Sequence, residues 1–193
     1  MKKLLLASLI VIGVISSASA VDLHPYIGFF PIEYSAYSFE FKDYDSGKKV
    51  AEGDMNSFAL GPFVFGVKIA DFRTDFAYGL DRSDGMAIGW NLYYDINVNE
   101  SVIPYVKAGV LYGTYSMDYD NSKKKEEATN RGFAFGAGLG YKVTNNFIID
   151  LGADYVIFRM KYKETKDDGT TSSDSNKMNV DGFAVRLGGR VQF

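Results

Sequence analysis

From Val180 to the final residue the chain reads VDGFAVRLGGRVQF, and its side chains alternate strictly. Phe183, Val185, Leu187, Val191 and Phe193 share one face, while Arg186, Gly188, Arg190 and Gln192 share the other. A period of two is that of a β-strand. The same alternation recurs upstream. Phe147, Ile149, Leu151, Ala153, Tyr155 and Ile157 oppose Ile148, Asp150, Gly152 and Asp154, and Phe133, Phe135, Ala137, Leu139 and Tyr141 oppose a run of small residues ending in Lys142. Val106, Ala108, Val110 and Tyr112 oppose Lys107, Gly109, Leu111 and Gly113. Farther toward the N-terminus, Ile88 to Ile96 and Phe72 to Leu80 behave alike. Each strand therefore has one apolar or aromatic face and one face of glycine with isolated charge. Two noisier candidates, Tyr26 to Phe39 and Met55 to Ile69, contain Pro31 and Pro62, with Pro25 just before the first. Proline removes a ladder donor, so register there is weakly specified. The count is eight strands.

The connections fall into two sets. Ala70-Asp71, Asn97 to Ser101 and Thr144 to Asn146 are short; Asp43 to Asp54, Asp118 to Asn130 and Lys163 to Asn179 are long and polar, with Asp81 to Gly85 a shorter member of the second set. Their alternation places all turns at one end and all loops at the other. Eight strands in such a meander can close on themselves and leave no edge.

The direction of the apolar face then decides the class. A soluble barrel would line its cavity with those rings and leave glycine and charge outside. In a membrane barrel the apolar set faces lipid, and small inward residues make room in a narrow lumen. Glycine stripes favour the membrane barrel. The first twenty residues agree with export: Lys2 and Lys3, an apolar run from Leu4 to Ile15, then Ser16 to Ala20 with a small-residue exit. This is the pattern of a cleaved signal peptide over residues 1–20, too short in its apolar run to span a bilayer as a helix. Residues 21–193 are then the barrel domain. Twenty glycines, 15 Phe and 14 Tyr suit pleated walls. With no cysteine and one histidine, disulfide frameworks, thiol enzymes and zinc fingers are excluded, and a net charge of −3 gives no nucleic-acid footprint.

The alternation, the Gly136-x-Gly138-x-Gly140 interior and the terminal Arg190-Val191-Gln192-Phe193 together resemble the small outer-membrane barrels of Gram-negative bacteria, the OmpX-like and opacity-type surface proteins. The resemblance covers residues 21–193. It implies an all-β fold, an eight-stranded antiparallel up-and-down transmembrane barrel with short periplasmic turns and long surface loops. It further implies that Phe193 is the assembly signal read by the barrel-assembly machinery on the C-terminal strand. The partners implied are outer-membrane lipid, lipopolysaccharide and a surface ligand reached through the long loops, with no nucleic acid and no cofactor. No peptidoglycan-binding domain follows the last strand, a departure from two-domain members of OmpA type.

The candidate site is the inward charge set: Glu33, Asp75, Asp95, Asp150 and Asp154 against Lys68, Arg73, Lys107, Lys142, Arg186 and Arg190. Near-balance is what a salt-bridged plug requires, whereas a conducting pore tolerates an excess of one sign. Asp150 and Asp154 lie on the strand that neighbours Arg186 and Arg190, which predicts bridging across that pair, with strand stagger leaving open which arginine meets which aspartate. Paired carboxylates also serve glycosidases, but a filled lumen has no room for a sugar. Any Ser-His-Asp arrangement must use His24, which sits at the periplasmic rim; in lipid A-modifying barrels of similar size the catalytic histidine lies toward the opposite end. Gly136-Ala-Gly-Leu-Gly140 lacks the following helix of a nucleotide loop. Asp43-x-Asp45 and Asp118-x-Asp120-Asn121 lack the glycine and glutamate of a calcium loop, and Lys123-Lys-Lys125 is neutralised by Glu126 and Glu127. No catalytic, cofactor or metal residue is assigned. The expected function is a structural or adhesin-like surface protein with a largely closed lumen; a small-solute or ion channel is the alternative, and a lipid-modifying enzyme follows behind it.

Overall fold

A computed structural model describes residues 23–42, 48–80, 86–96, 98–118, 125–165 and 176–193. The expected signal peptide and the central parts of the long loops, including Asp43-x-Asp45, Asp120-Asn121 and Lys123-Lys124, lie outside the described residues. The described chain is all-β: β1 (Leu23–Lys42), β2 (Lys49–Ala59), β3 (Phe63–Ile69), β4 (Phe72–Leu80), β5 (Met86–Asp95), β6 (Val102–Asp118), β7 (Lys125–Lys142), β8 (Phe147–Thr165) and β9 (Asn176–Gln192). The sheet order is β2-β1-β3-β4-β5-β6-β7-β8-β9, and β1 also pairs with β9. That last pairing closes the barrel, while β2 pairs with β1 alone and keeps one side unpaired among the described residues.

The barrel closes with the expected eight staves, and a ninth strand arises because the second stave is broken. β2 and β3 both pair with β1, β2 along Glu33 to Lys42 and β3 along Leu23 to Phe29. Between them Pro62 has no N–H to donate, and an added Cβ at Gly61 would strike Phe30. The Phe30 N–H bridges to the Pro62 carbonyl at 3.2 Å. β1 answers with a register shift between Phe29 and Ile32. This bulge keeps Phe29 and Ile32 both outward while Phe30 and Glu33 point inward.

The strands are longer and the connections shorter than the sequence suggested. β2 begins at Lys49 within the expected Asp43–Asp54 loop, β7 begins at Lys125 within Asp118–Asn130, β8 runs to Thr165 and β9 starts at Asn176. Polar and charged residues continue the ladder because the wall continues into water, where such side chains are at home on a sheet.

Register fixes the geometry of the wall. Followed across the ladders from Phe29, the partners are Phe63, Tyr78, Ile88, Tyr112, Arg131, Arg159 and Asn179. The path returns to β1 at Glu40, well up the strand from Phe29. Such a stagger belongs to strands tilted by roughly 35–45°. With that tilt, the apolar outward stretch from Phe183 to Phe193 spans about 25 Å, the height of an outer-membrane band.

Turns gather at one end with both strand termini of the barrel. Asn99 Oδ1 accepts from the Ser101 and Val102 N–H groups, and Thr144 Oγ1 accepts from Asn146 and Phe147. Each side chain substitutes for a backbone acceptor and tightens the reversal. Ala70 turns the β3–β4 hairpin with φ of 52°, in the left-handed region. The Phe193 N–H donates to the Pro25 carbonyl at 2.8 Å, pinning the C-terminus to β1.

Candidate functional site

Period two delivers alternate side chains to the lumen, and their sizes decide what fits there. Gly138 and Gly152 are small where the Tyr105 ring and hydroxyl press against the wall; a Cβ at either would collide with it. Ile103 and Ile148 are buried at the turn end. Above them Asp95 receives Lys68 at 2.8 Å and Arg73 at 2.7 Å. The Arg73 guanidinium lies 4.3 Å from the Tyr93 ring centre and 4.9 Å from that of Tyr105, so two aromatic faces supply part of what water would. Tyr26 donates its hydroxyl to Asp75 at 2.9 Å, and Asn91 donates to the other oxygen of Asp75 at 2.8 Å. Asp150 lies 3.4 Å from Arg190, an ion pair without hydrogen-bond geometry, and Arg190 also covers the Tyr26 ring.

A second charged layer lies nearer the loop end. Asp154 accepts from Lys107 at 2.5 Å and from Arg186, and Arg186 also reaches Glu33 at 3.1 Å. This layer holds two carboxylates and two cations; the layer below holds Asp75, Asp95 and Asp150 with Lys68, Arg73 and Arg190. Each is neutral by itself, the condition under which charge can stay in a confined space. Above both, Ala134, Val156 and Ala184 are buried, with Tyr37, Leu111 and Phe158 packed on them. The Tyr37 and Phe158 rings meet edge to face at 5.7 Å.

Ten of the eleven charged residues read as inward are thus brought into the lumen. Lys142 is the correction: it keeps inward parity but ends β7, beside the turn, and is exposed to water. Without it the lumen is balanced. Arg186 takes Asp154 and Arg190 takes Asp150, the choice that sequence left open. Tyr26, Tyr93, Tyr105 and Asn91 were missed as site residues because the sequence reading singled out charge, although Tyr93 and Asn91 lie on the polar stripe of their strand. His24 lies in β1 opposite Lys68, at the turn end.

The outer face is the complement. Phe65, Phe76, Leu92, Val106, Phe135, Leu151 and Leu187 are exposed along the wall. Where a polar atom does face out, the wall satisfies it: Trp90 donates its indole N–H to Thr74 Oγ1 at 2.7 Å, and Thr74 donates to the Asn91 carbonyl at 3.0 Å. Hydrocarbon imposes that requirement.

A closed antiparallel barrel with an apolar exterior and a paired, charged interior is a membrane-spanning barrel of outer-membrane type. The chain belongs to the outer membrane protein beta-barrel domain family, whose sequence pattern it matches over residues 4–193, and its location is the outer membrane. Among solved structures it is similar to Neisserial surface protein A, NspA, at 19% identity, covering 91% of this chain and 100% of that one with a TM-score of 0.53. It is also similar to the N-terminal β-barrel domain of Pseudomonas aeruginosa OprF, at 18% identity over 83% of this chain and 97% of that one, with a TM-score of 0.47. The chain has no significant sequence match among curated proteins.

Proposed function

We propose that this protein is a structural or surface-interaction barrel whose lumen is a plug rather than a path, oriented with the turn end in the periplasm and the loop end at the cell surface. The observation that carries the reading is the stacking of the lumen. Ile103 and Ile148, two separately neutral charge layers, and the Tyr37, Leu111 and Phe158 cap follow one another along the axis. Such an interior rigidifies the wall and leaves the loop-end sheet as the part that meets other molecules, since function on a rigid scaffold concentrates in its loops. Phe193, exposed on the outer face at the closing strand, takes the role of assembly signal.

The test joins two measurements. In planar bilayers the purified protein is expected to show no steady conductance. Epitope tags inserted within residues 43–47 or 166–175 are expected to bind antibody on intact cells, and a tag at Ala70-Asp71 is not. A steady, ion-selective current would replace the plug by a channel, and the opposite tag pattern would invert the orientation.

A further inference from the structure

Six buried polar atoms of the lower charge layer make no hydrogen bond: both carboxylate oxygens of Asp150, Nε, Nη1 and Nη2 of Arg190, and Nη2 of Arg73. The Asp150 and Arg190 side chains are each only 2% exposed. Their 3.4 Å approach offsets charge but satisfies none of these donors or lone pairs, and buried groups left in that condition are costly. In the upper layer, by contrast, Lys107 and Arg186 both donate directly to the Asp154 carboxylate. Glycines surround the loose pair. Asp150 has Gly140 of β7 and Gly188 of β9 as register partners, and Arg190 has Gly28 of β1. Phe30 takes the space beside Gly188, and Val64 takes that beside Gly28. Over Gly140 the point where a Cβ would stand is ringed by Asp150 Oδ1 at 3.1 Å, an Ile148 methyl group at 3.2 Å and Arg190 Nη2 at 3.4 Å. An unsatisfied acceptor and an unsatisfied donor thus face the same small space.

We propose that this space is a binding site for water, held inside the lumen between Asp150 and Arg190. The charge count selects the ligand. Asp75, Asp95 and Asp150 already balance Lys68, Arg73 and Arg190, so a bound cation or anion would leave net charge in a confined layer, at a high desolvation cost. The occupant has to be neutral, donate to the carboxylate and accept from the guanidinium. Water does both. At about three hydrogen bonds per buried molecule, roughly two molecules satisfy the six atoms. Asp150 and Arg190 are then joined through an exchangeable bridge, whereas Asp154 holds its cations directly. The inference rests on the closed lumen proposed above, because an open one would not retain individual water molecules.

Oxygen-17 relaxation dispersion of water counts the molecules that a protein holds for longer than it tumbles. The parent in micelles is compared with Asp150→Leu/Arg190→Met, which removes one charge of each sign and keeps the layer neutral. The parent is expected to hold about two more such molecules than the double variant. Gly140→Ala places a methyl group in the same space and should lower the count by at least one; Gly79→Ala, whose Cβ meets nothing closer than 3.9 Å, should leave it unchanged. The double variant should unfold at the parent's urea midpoint or above it, because well-packed apolar side chains replace a buried ion pair; this separates lost water from lost folding. Equal counts in the parent, the double variant and Gly140→Ala would overturn the proposal. So would a scalar coupling from an Arg190 nitrogen to the Asp150 carboxyl carbon, which marks a direct hydrogen bond, or a parent count that falls as chloride is raised, which marks an ion in the space. Equal counts in a barrel without conductance would remove the water site and leave the plug, whereas equal counts with a steady current would remove both.

Discussion

Within the membrane band β8 turns Ile149, Leu151 and Tyr155 outward and Asp150 and Asp154 inward; a few residues later the same strand turns Arg159 and Lys161 outward and Phe158 and Met160 inward. β9 repeats the exchange, with Leu187 and Val185 outward below and Val180 buried inside above. The backbone and its period do not change between the two regions. What changes is the medium outside, so the apolar face follows whichever side is drier. In the band that side is lipid, and charge is tolerated in the lumen only in neutral layers. Above the band water lies outside, and rings move into the interior, where they cap those layers. The wall is also uneven. β4 and β5 stop at Leu80 and Met86, whereas β6, β7, β8, β9, β1 and β2 continue as a sheet beyond them.

The largest effect is expected where the contrast is strictest, in the upper charge layer. Asp154→Ala leaves Lys107 and Arg186 facing each other without the carboxylate they share and should cost about 3–5 kcal/mol. Urea unfolding in lipid vesicles measures it. Arg186→Met in the Asp154→Ala background should restore part of the loss; strictly additive costs would show that the layer is not a coupled unit. Next comes the lipid face. Leu151 and Leu187 are cross-strand partners, and Arg at either should cost about 2–4 kcal/mol if it lies near the midplane. The converse change above the band, Arg159→Leu, should fall within roughly 0.5 kcal/mol in micelles. Similar costs at Leu151 and Arg159 would erase the distinction between the two regions. Phe158→Ala, which uncaps the lumen, should cost about 1–2 kcal/mol, below the range for a fully buried ring because Phe158 is only partly buried. The smallest change lies outside both regions: Ala70→Gly removes a left-handed alanine and should stabilise the barrel by about 1 kcal/mol, read as a raised urea midpoint.

The alternation of the six later strands was legible because a period of two needs no partner to be seen. The polarity of each face followed, since glycine beside charge makes a poor exterior for a barrel in water. Strand ends were not legible in the same way. Lys49 to Asp54 and Asn176 to Asn179 are mixed segments with charged or amide residues at both ends, and such segments read as loop when the sheet is assumed to end with the membrane. The break at Gly61-Pro62 carried its own signal, yet two short strands serving one stave look in sequence like a single noisy strand. Partner choice in the lumen depends on stagger, which arises only on closure; hence Glu33 joining Arg186, and Lys107 reaching Asp154, had no local sign. Lys142 was misplaced because parity gives a direction but not a depth. The inversion above the band did leave a trace, the adjacent apolar pair Ile157-Phe158, where the apolar set changes phase.

The exchange of faces along β8 can be observed directly because the protein has no cysteine of its own. Single cysteines placed one at a time from residue 149 to residue 161 would carry a fluorophore exposed first to a lipid-chain quencher and then to a water-soluble one. Positions 149, 151, 153, 155 and 157 should answer to the lipid quencher alone, positions 159 and 161 to the aqueous one, and 158 and 160 to neither. If 150 and 154 respond to the aqueous quencher as strongly as 159 and 161, the lumen is open to water; if 158 and 160 respond to lipid, the apolar face does not change sides.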